Sequence, residues 1–316
     1  MKVCLVKTSS MGDVIHTLPA LTDAQMAIPN LHVDWVVEPA FAEIPRWHSA
    51  VRNIIPFALR KWRKRLFSKD TLQQWQAYKQ QLQTEQYDAV IDAQGLLKSA
   101  ALATHLAKGI KYGYDRHSAR EGLSACFYDK KFAISYQQHA VERIRNLFSQ
   151  SLGYNLPTAV GDYGIAKLFQ ELTACQPYII AIHATTRADK HWQEQRWAAL
   201  FDALTAQNLA VRLPWGNDVE RQRAERLAAG NPFIQVLPKL SLTELAQQLS
   251  QAQAVVSVDT GLSHLTAALD KPNVILYGAT DPKLIGAYGK NQIYLQAGSM
   301  NNIEPNQVLQ ALKKAI

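Results

Sequence analysis

The run Val255-Val256-Ser257-Val258-Asp259-Thr260-Gly261-Leu262-Ser263-His264-Leu265-Thr266-Ala267-Ala268-Leu269 constrains this chain more than any other. An apolar, β-branched segment passes through a small polar turn into apolar residues at Leu262, Leu265 and Leu269, which reads as a strand, a tight loop and a helix. The N–H groups of Thr260, Gly261, Leu262 and Ser263 then lie at a helix N-terminus. The helix dipole places roughly half a positive charge there, so a phosphate fits without a metal. Gly261 lets a ligand approach the backbone closely. Capping of the helix by Asp259 and Thr260 is the competing structural role. His264, one turn in, and the recurrence of the same pattern elsewhere favour a ligand.

The pattern recurs from the start of the chain. Val3 to Val6 reads as a strand, Lys7-Thr8-Ser9-Ser10-Met11-Gly12-Asp13 as a polar loop, and Val14, Ile15, Leu18 and Leu21 fall at helical spacing. Asp13 sits where the dipole favours an ionised carboxylate, available as a base; capping by Ser10 or Asp13 is the alternative. His16 is either a partner of that site or a satisfied helix residue. Strands are expected at 33–37 and 89–93, with a Gln-rich helix over 71–84. Gln94-Gly95 opens another helix, so Asp13 and Gln94 share one rim of a parallel sheet, outside the carboxyl ends of its strands. Arg116, Arg120 and Arg143 add positive charge suited to carboxylates or phosphates.

After a lapse into Gly and Pro around 153–163, which reads as a linker between domains, a second alternating unit begins. It has strands at 178–183, 211–216, 233–237 and 274–278. A polar loop, 184–192, follows the first of these, Glu220 opens a helix, Pro238-Lys239-Leu240 leads into a helix over 241–249, and Pro305 starts a last helix to Ile316. The fold class is therefore α/β, with two Rossmann-like halves and ligands in a cleft between them.

A length of 316 residues suits two domains, and 47% hydrophobic with 19% charged residues is an ordinary globular composition. No apolar run of about 18 residues occurs and the N-terminus lacks a signal-peptide pattern, so a cytoplasmic location is expected. Cys4, Cys126 and Cys175 are too few and scattered for a disulfide framework or a Cys-based zinc site. The net charge of +8 points to an anionic partner. Its densest cluster, Arg60-Lys61-Trp62-Arg63-Lys64-Arg65, is either a solvated helix face or a binder of phosphates and anionic lipid, with Trp62, Leu66 and Phe67 at the interface. A nucleic-acid partner is disfavoured, since the cations are not interleaved with an aromatic stacking platform.

Dinucleotide, P-loop, nucleophile-elbow and zincin motifs are missing, as is an Asp-x-Asp pair for a divalent metal. A diphosphate ligand would be neutralised by Lys190, the hydroxyls of Thr185 and Thr186, and the amides at Thr260 to Leu262, with no metal and no cofactor.

The run from Lys7 through Asp13 to Pro19, with His183-Ala184-Thr185-Thr186, Leu213-Pro214-Trp215-Gly216 and Ser257 to Leu265, resembles the ADP-heptose glycosyltransferase family, the lipopolysaccharide heptosyltransferases of GT-B fold. The likeness runs from the first strand to Tyr277-Gly278-Ala279-Thr280-Asp281-Pro282. It implies transfer of L-glycero-D-manno-heptose from ADP-heptose to the first Kdo of Kdo2-lipid A, with inversion and without metal, by a protein peripheral on the cytoplasmic face of the inner membrane. An acceptor that already carries heptose is the alternative within the family. Asp13 matches the catalytic base, and Thr185, Thr186, Lys190, Glu220, Leu240, Asp259, Thr260, Gly261 and His264 match donor-binding positions. Leu240 stands where a family member carries Met, an exchange of flexible apolar residues. Glu220 suits ribose hydroxyls; Asp259 either holds a sugar hydroxyl or caps its helix. Ser10, Gly12, Arg60, Arg63, Lys64, Gln94, Arg120 and Arg143 are the expected acceptor side. The implied domains are an acceptor-binding half, 1–155, a linker, 156–175, an ADP-heptose-binding half, 176–300, and a C-terminal helix, 301–316, packing back on the first half.

Overall fold

In the computed structural model, residues 1–65, 68–170, 177–278 and 280–316 are described. Leu66, Phe67, Cys175, Ala279 and the end of the expected linker lie outside them. The chain divides into two units, Met1–Gly164 and Ile165–Ile316.

The first unit is built on β1 (Lys2–Val6), β2 (His32–Val37), β3 (Val51–Pro56), β4 (Ala89–Asp92), β5 (Lys111–Tyr114) and β6 (Lys130–Phe132), in the order β3-β2-β1-β4-β5-β6. Every pairing is parallel. β1 and β4 are buried almost throughout, as strands covered on both faces must be, which is why they read as continuous apolar runs. One core layer joins Cys4, Val6, Val36, Ile55 and Val90 to an aromatic group of Phe57, Trp62 and Tyr78. The second unit repeats the plan with β7 (Tyr178–Ile182), β8 (Ala210–Leu213), β9 (Ile234–Val236), β10 (Ala254–Val258), β11 (Asn273–Tyr277) and β12 (Gln292–Gln296), ordered β12-β11-β10-β7-β8-β9. These pairings too are parallel. The expected α/β class with two Rossmann-like units is thus observed.

Three expectations are corrected. The C-terminal helix, Pro305–Ala315, belongs to the second unit: Val308, Ala311 and Leu312 enter its core with β10, β11 and the helix Glu194–Thr205, so its apolar face is spent there. The first unit extends past residue 155, because Gly161 lies against Pro19 and Arg145, and Gly164 against Thr22 and His48, while Ser250 holds the Phe169 carbonyl in the second unit. Trp62 is not at a surface. It is 4% exposed, packs edge-on against Phe57 and Trp75, and donates its indole N–H to Gln74 at 3.2 Å. Of the basic cluster, Arg60, Lys61, Arg63, Lys64 and Arg65 flank it and all are exposed, with Lys61 Nζ 3.7 Å from Asp70.

Among the described residues no helix is long and apolar enough to cross a membrane. Cys4 is buried, Cys126 exposed, and both are free thiols.

The first unit closes on itself through Arg145, whose guanidinium meets Asp23 at 2.6 Å and Glu142 at 3.0 Å and donates to the Pro157 carbonyl at 3.1 Å. Arg145 and Asp23 are both almost wholly buried. Replacing Arg145 by Ala would strand the Asp23 carboxylate, a change that costs about 3–5 kcal/mol. The expected outcome is a lower urea midpoint for the first unit, followed by the fluorescence of its tryptophans; an unchanged midpoint would refute the role.

Candidate functional site

Because all strands run the same way, every loop that follows a strand emerges on one edge of its sheet. In the first unit that edge collects Asp13 after β1, Glu38 after β2, Arg60 after β3, Gln94 after β4 and Arg120 after β5. The loop after β1 is strongly fixed. Trp35 donates its indole N–H to the Lys7 carbonyl at 2.9 Å, Lys7 Nζ donates to the Ala93 carbonyl at 2.9 Å, and Glu38 N–H donates to the Thr8 carbonyl at 3.0 Å. Gln94 Oε1 accepts from Thr8 N–H at 2.8 Å and Ser9 N–H at 3.2 Å. Gln94, an expected acceptor-side residue, commits its carbonyl oxygen to shaping this loop.

Asp13 stands in the first turn of the helix Met11–Ile15. Its Oδ2 accepts from Ser10 N–H at 2.7 Å and from the Ser10 hydroxyl at 2.9 Å, while Oδ1 lies 3.7 Å from Lys7 Nζ. The capping role and an ionised, partly exposed carboxylate therefore coexist in one residue. Burial pushes the carboxyl up, but Lys7, the two Ser10 hydrogen bonds and Arg120 outweigh it and hold Asp13 below the usual carboxylate range. For Lys7, burial pulls the ammonium below its ordinary value; Asp13 and Asp92 oppose this, and Arg143 and Arg120 add to it.

Arg143 is laid over Tyr136 at 3.6 Å and donates to the Ser118 carbonyl at 2.8 Å. Arg60 Nε is 3.9 Å from Glu38, whose carboxyl is raised by burial against the pull of Arg60 and Lys98. Ser10, Arg120, Arg63 and Lys64 are exposed and Gly12 is buried. Lys7, Glu38 and Lys98 were not singled out from the sequence. Their signal was present, since each lies within a few residues of a predicted strand end.

The second unit places Thr185, Thr186 and Lys190 after β7, Glu220 after β8, Leu240 after β9 and Asp259 to His264 after β10, again on one edge. Lys190 Nζ meets Asp259 Oδ2 at 2.5 Å, and the Thr185 hydroxyl donates to the Asp259 carbonyl at 3.2 Å, so the loops after β7 and β10 are tied together. Thr260 is the N-cap of the helix Gly261–Ala268, but its side chain makes no capping bond. The ammonium keeps further hydrogens for a ligand beside that N-terminus. Glu220 accepts from Gly216 N–H at 2.7 Å and from the Asn217 side chain at 2.8 Å, which aims its carboxylate back at the loop after β8. His264 is buried, Leu240 half-buried and Thr186 exposed.

Sequence reading also missed Arg223, three residues beyond Glu220 on the same helix. It meets His191 Nδ1 at 2.8 Å and donates to the Trp192 carbonyl at 2.6 Å, fixing the chain directly after Lys190. His183 beneath this loop is fully buried and is pushed down to about 4 by burial, helped by Arg223, so its ring is neutral. Among the described residues no grouping of three or more His, Cys, Asp or Glu could hold a metal ion.

Two Rossmann-like units, one edge presenting a carboxylate among cations and the other a lysine beside a helix N-terminus, describe a nucleotide-sugar glycosyltransferase of GT-B type. Residues 75–315 match the model of glycosyltransferase family 9 (heptosyltransferase). Lipopolysaccharide heptosyltransferase 1 of Escherichia coli K12 is 55% identical over 316 residues, covering 99% of each chain, and that of Salmonella typhimurium is 57% identical over 295 residues, covering 93% of each. The solved structure of E. coli heptosyltransferase WaaC with ADP matches with a TM-score of 0.97 at 53% identity, over 100% of both chains. The chain belongs to glycosyltransferase family 9, the heptosyltransferases, as the resemblance of its motifs implied.

Asp13 has a folded pKa below its unfolded one, so its contribution to stability is present above the ordinary carboxylate value and is lost as pH falls through the folded value. Ser10→Ala removes one hydrogen bond to the ionised form. Carboxyl NMR titration of Asp13 should show its midpoint moving to higher pH in that variant, and a midpoint that stays put or falls would refute the account.

Proposed function

We propose that this enzyme moves L-glycero-D-manno-heptose from ADP-heptose to the first Kdo of Kdo2-lipid A, in one inverting displacement that needs no metal ion. Family membership and the identity to lipopolysaccharide heptosyltransferase 1 proteins establish heptosyl transfer in lipopolysaccharide synthesis. The donor is supported by the solved WaaC structures, one with ADP and one with ADP-2-deoxy-2-fluoro heptose. The acceptor and the stereochemistry are part of the proposal.

The observation that carries the chemistry is the setting of Asp13, a carboxylate held ionised yet a third exposed. In the proposed step it accepts the proton of the acceptor hydroxyl as that oxygen bonds to the anomeric carbon, and the bond from that carbon to the diphosphate oxygen breaks with its electron pair leaving on ADP. Charge then grows on the diphosphate. Lys190, the Thr185 and Thr186 hydroxyls and the amides at the start of the helix Gly261–Ala268 stabilise it, most strongly when ADP departs. Glu220 would hold the ribose, Leu240 pack on adenine, and Asp259 and His264 orient the sugar and phosphates.

Arg120 and Arg143 suit the acidic sugar, and Arg60, Arg63 and Lys64 the phosphates of lipid A and an anionic membrane surface, on which the enzyme would sit peripherally. Exposure of these cations around the buried Trp62 supports that role.

Asp13→Asn should lower kcat by roughly 10²–10⁴-fold while the dissociation constant of ADP-heptose, measured by calorimetry, stays within a factor of two. The intact enzyme should keep its rate in EDTA. A variant with near-normal turnover removes Asp13 as base, and inactivation by EDTA that added magnesium reverses removes the metal-free mechanism. Neutralising Arg60, Arg63 and Lys64 together should weaken binding to anionic vesicles and raise KM for full-length acceptor; unchanged values for both would show that the segment is only a solvated face.

A further inference from the structure

One buried carboxylate in the first unit has no part in the chemistry described above. Asp92, the last residue of β4, has no exposed surface. Its Oδ1 accepts from Gln94 N–H at 2.9 Å and Gly95 N–H at 3.0 Å, and its Oδ2 accepts from the Thr104 and Tyr128 hydroxyls, each at 3.0 Å, with Ser99 Oγ 3.1 Å away. Burial raises the Asp92 carboxyl above the usual carboxylate range, and the hydrogens from Gln94, Gly95, Thr104 and Tyr128 oppose that rise by favouring the ionised form. The chain makes room for the arrangement. A Cβ on Gly113 of β5 would lie 2.3 Å from the Tyr128 ring, so glycine at that position admits the ring whose hydroxyl reaches Asp92.

The turn that Asp92 shapes, Ala93-Gln94-Gly95, is the one that grips the loop after β1. Ala93 offers its carbonyl to Lys7 Nζ, and Gln94 offers its side-chain oxygen to the backbone of Thr8 and Ser9. Gly95 has φ +65, a left-handed conformation that brings its N–H round to Asp92. Ser10 and Lys7, at either end of the gripped segment, both contact the Asp13 carboxylate.

We propose that Asp92 is a positioning residue for the transfer reaction: through the Ala93–Gly95 turn it holds Lys7 and the Thr8–Ser9 backbone, and through them Asp13, without touching either substrate. The proposal rests on the reading of Asp13 as base. Its charge also acts at a distance. Asp92 and Asp13 are the anionic groups that favour the charged form of Lys7, against burial, Arg143 and Arg120. The other titratable groups that sense Asp92 are Cys4, Tyr114 and Tyr128, each raised primarily by burial. Removing the Asp92 charge weakens the charged form of Lys7, which in turn weakens the ionised form of Asp13.

Asp92→Asn keeps the shape and an acceptor for Gln94 and Gly95 N–H. Expected are a 10- to 100-fold fall in kcat, by the loss of base alignment, and a KM for ADP-heptose within a factor of two. The acidic limb of kcat/KM against pH should move to higher pH. Tyr128→Phe removes one hydrogen-bond donor and no charge; it should shift the same limb the same way by less, and it serves if Asp92→Asn fails to fold. An unmoved acidic limb in whichever of the two variants folds overturns the proposal, as does a fall in kcat/KM carried by KM for ADP-heptose. Asp13→Asn separates the two readings: if it abolishes turnover while the Asp92 and Tyr128 variants keep the parent pH profile, only the positioning role fails, and if it leaves turnover intact, the base assignment fails first.

Discussion

The parallel pairing of β1 between β2 and β4 is the constraint on which the site edge of the first unit depends. Register places Val6 beside Val36 on one side and Asp92 on the other, so three loops leave the sheet at the same height. From there main-chain hydrogen bonds finish the work: Glu38 reaches the loop after β1 from one flank, Gln94 and Ala93 from the other. A carboxylate on a five-residue helix would be poorly fixed if it relied on that helix alone, since so short a helix is marginal in water. Its rigidity comes from the flanking strands.

The second unit solves a different electrostatic problem with the same topology. Asp259 and Lys190 meet in a partly buried ion pair that joins the loops after β10 and β7. Such a pair gains little net stability once desolvation is counted. Its value is geometric, because it holds an ammonium beside an uncapped helix N-terminus, where negative charge is favoured. Arg223 and Glu220, on one helix, serve the adjoining loops in the same spirit.

Most of the buried sheet was legible in the sequence. β1, β4, β7, β10 and β11 are covered on both faces, so their residues form near-continuous apolar runs bounded by polar turns. The strands passed over were β3, β5, β6 and β12. β3 carries Arg52, Asn53 and a terminal Pro56, β5 contains Gly113, β6 has three residues, and β12 offers only Ile-Tyr-Leu between two glutamines at an edge. The helix Ala140–Leu152 was also missed, its pattern interrupted by Glu142, Arg143 and Arg145, all three of which are held in polar contacts. At the site, motif residues were legible because strand ends mark them, whereas Arg223 and Asp92 act through other residues' backbones and leave no local signature. Trp62 was misassigned because its neighbours in sequence are cationic, and only the fold reveals that its ring turns inward.

That inward ring separates two duties which the sequence interleaves. Trp62 secures the short helix Leu59–Trp62 to Phe57, Trp75 and Tyr78, while the arginines and lysines on either side are exposed. Exposed substitutions of that kind ordinarily alter stability by no more than about 0.5 kcal/mol. The pattern of positive charge can therefore be redrawn without disturbing the fold, while the anchor beneath stays fixed.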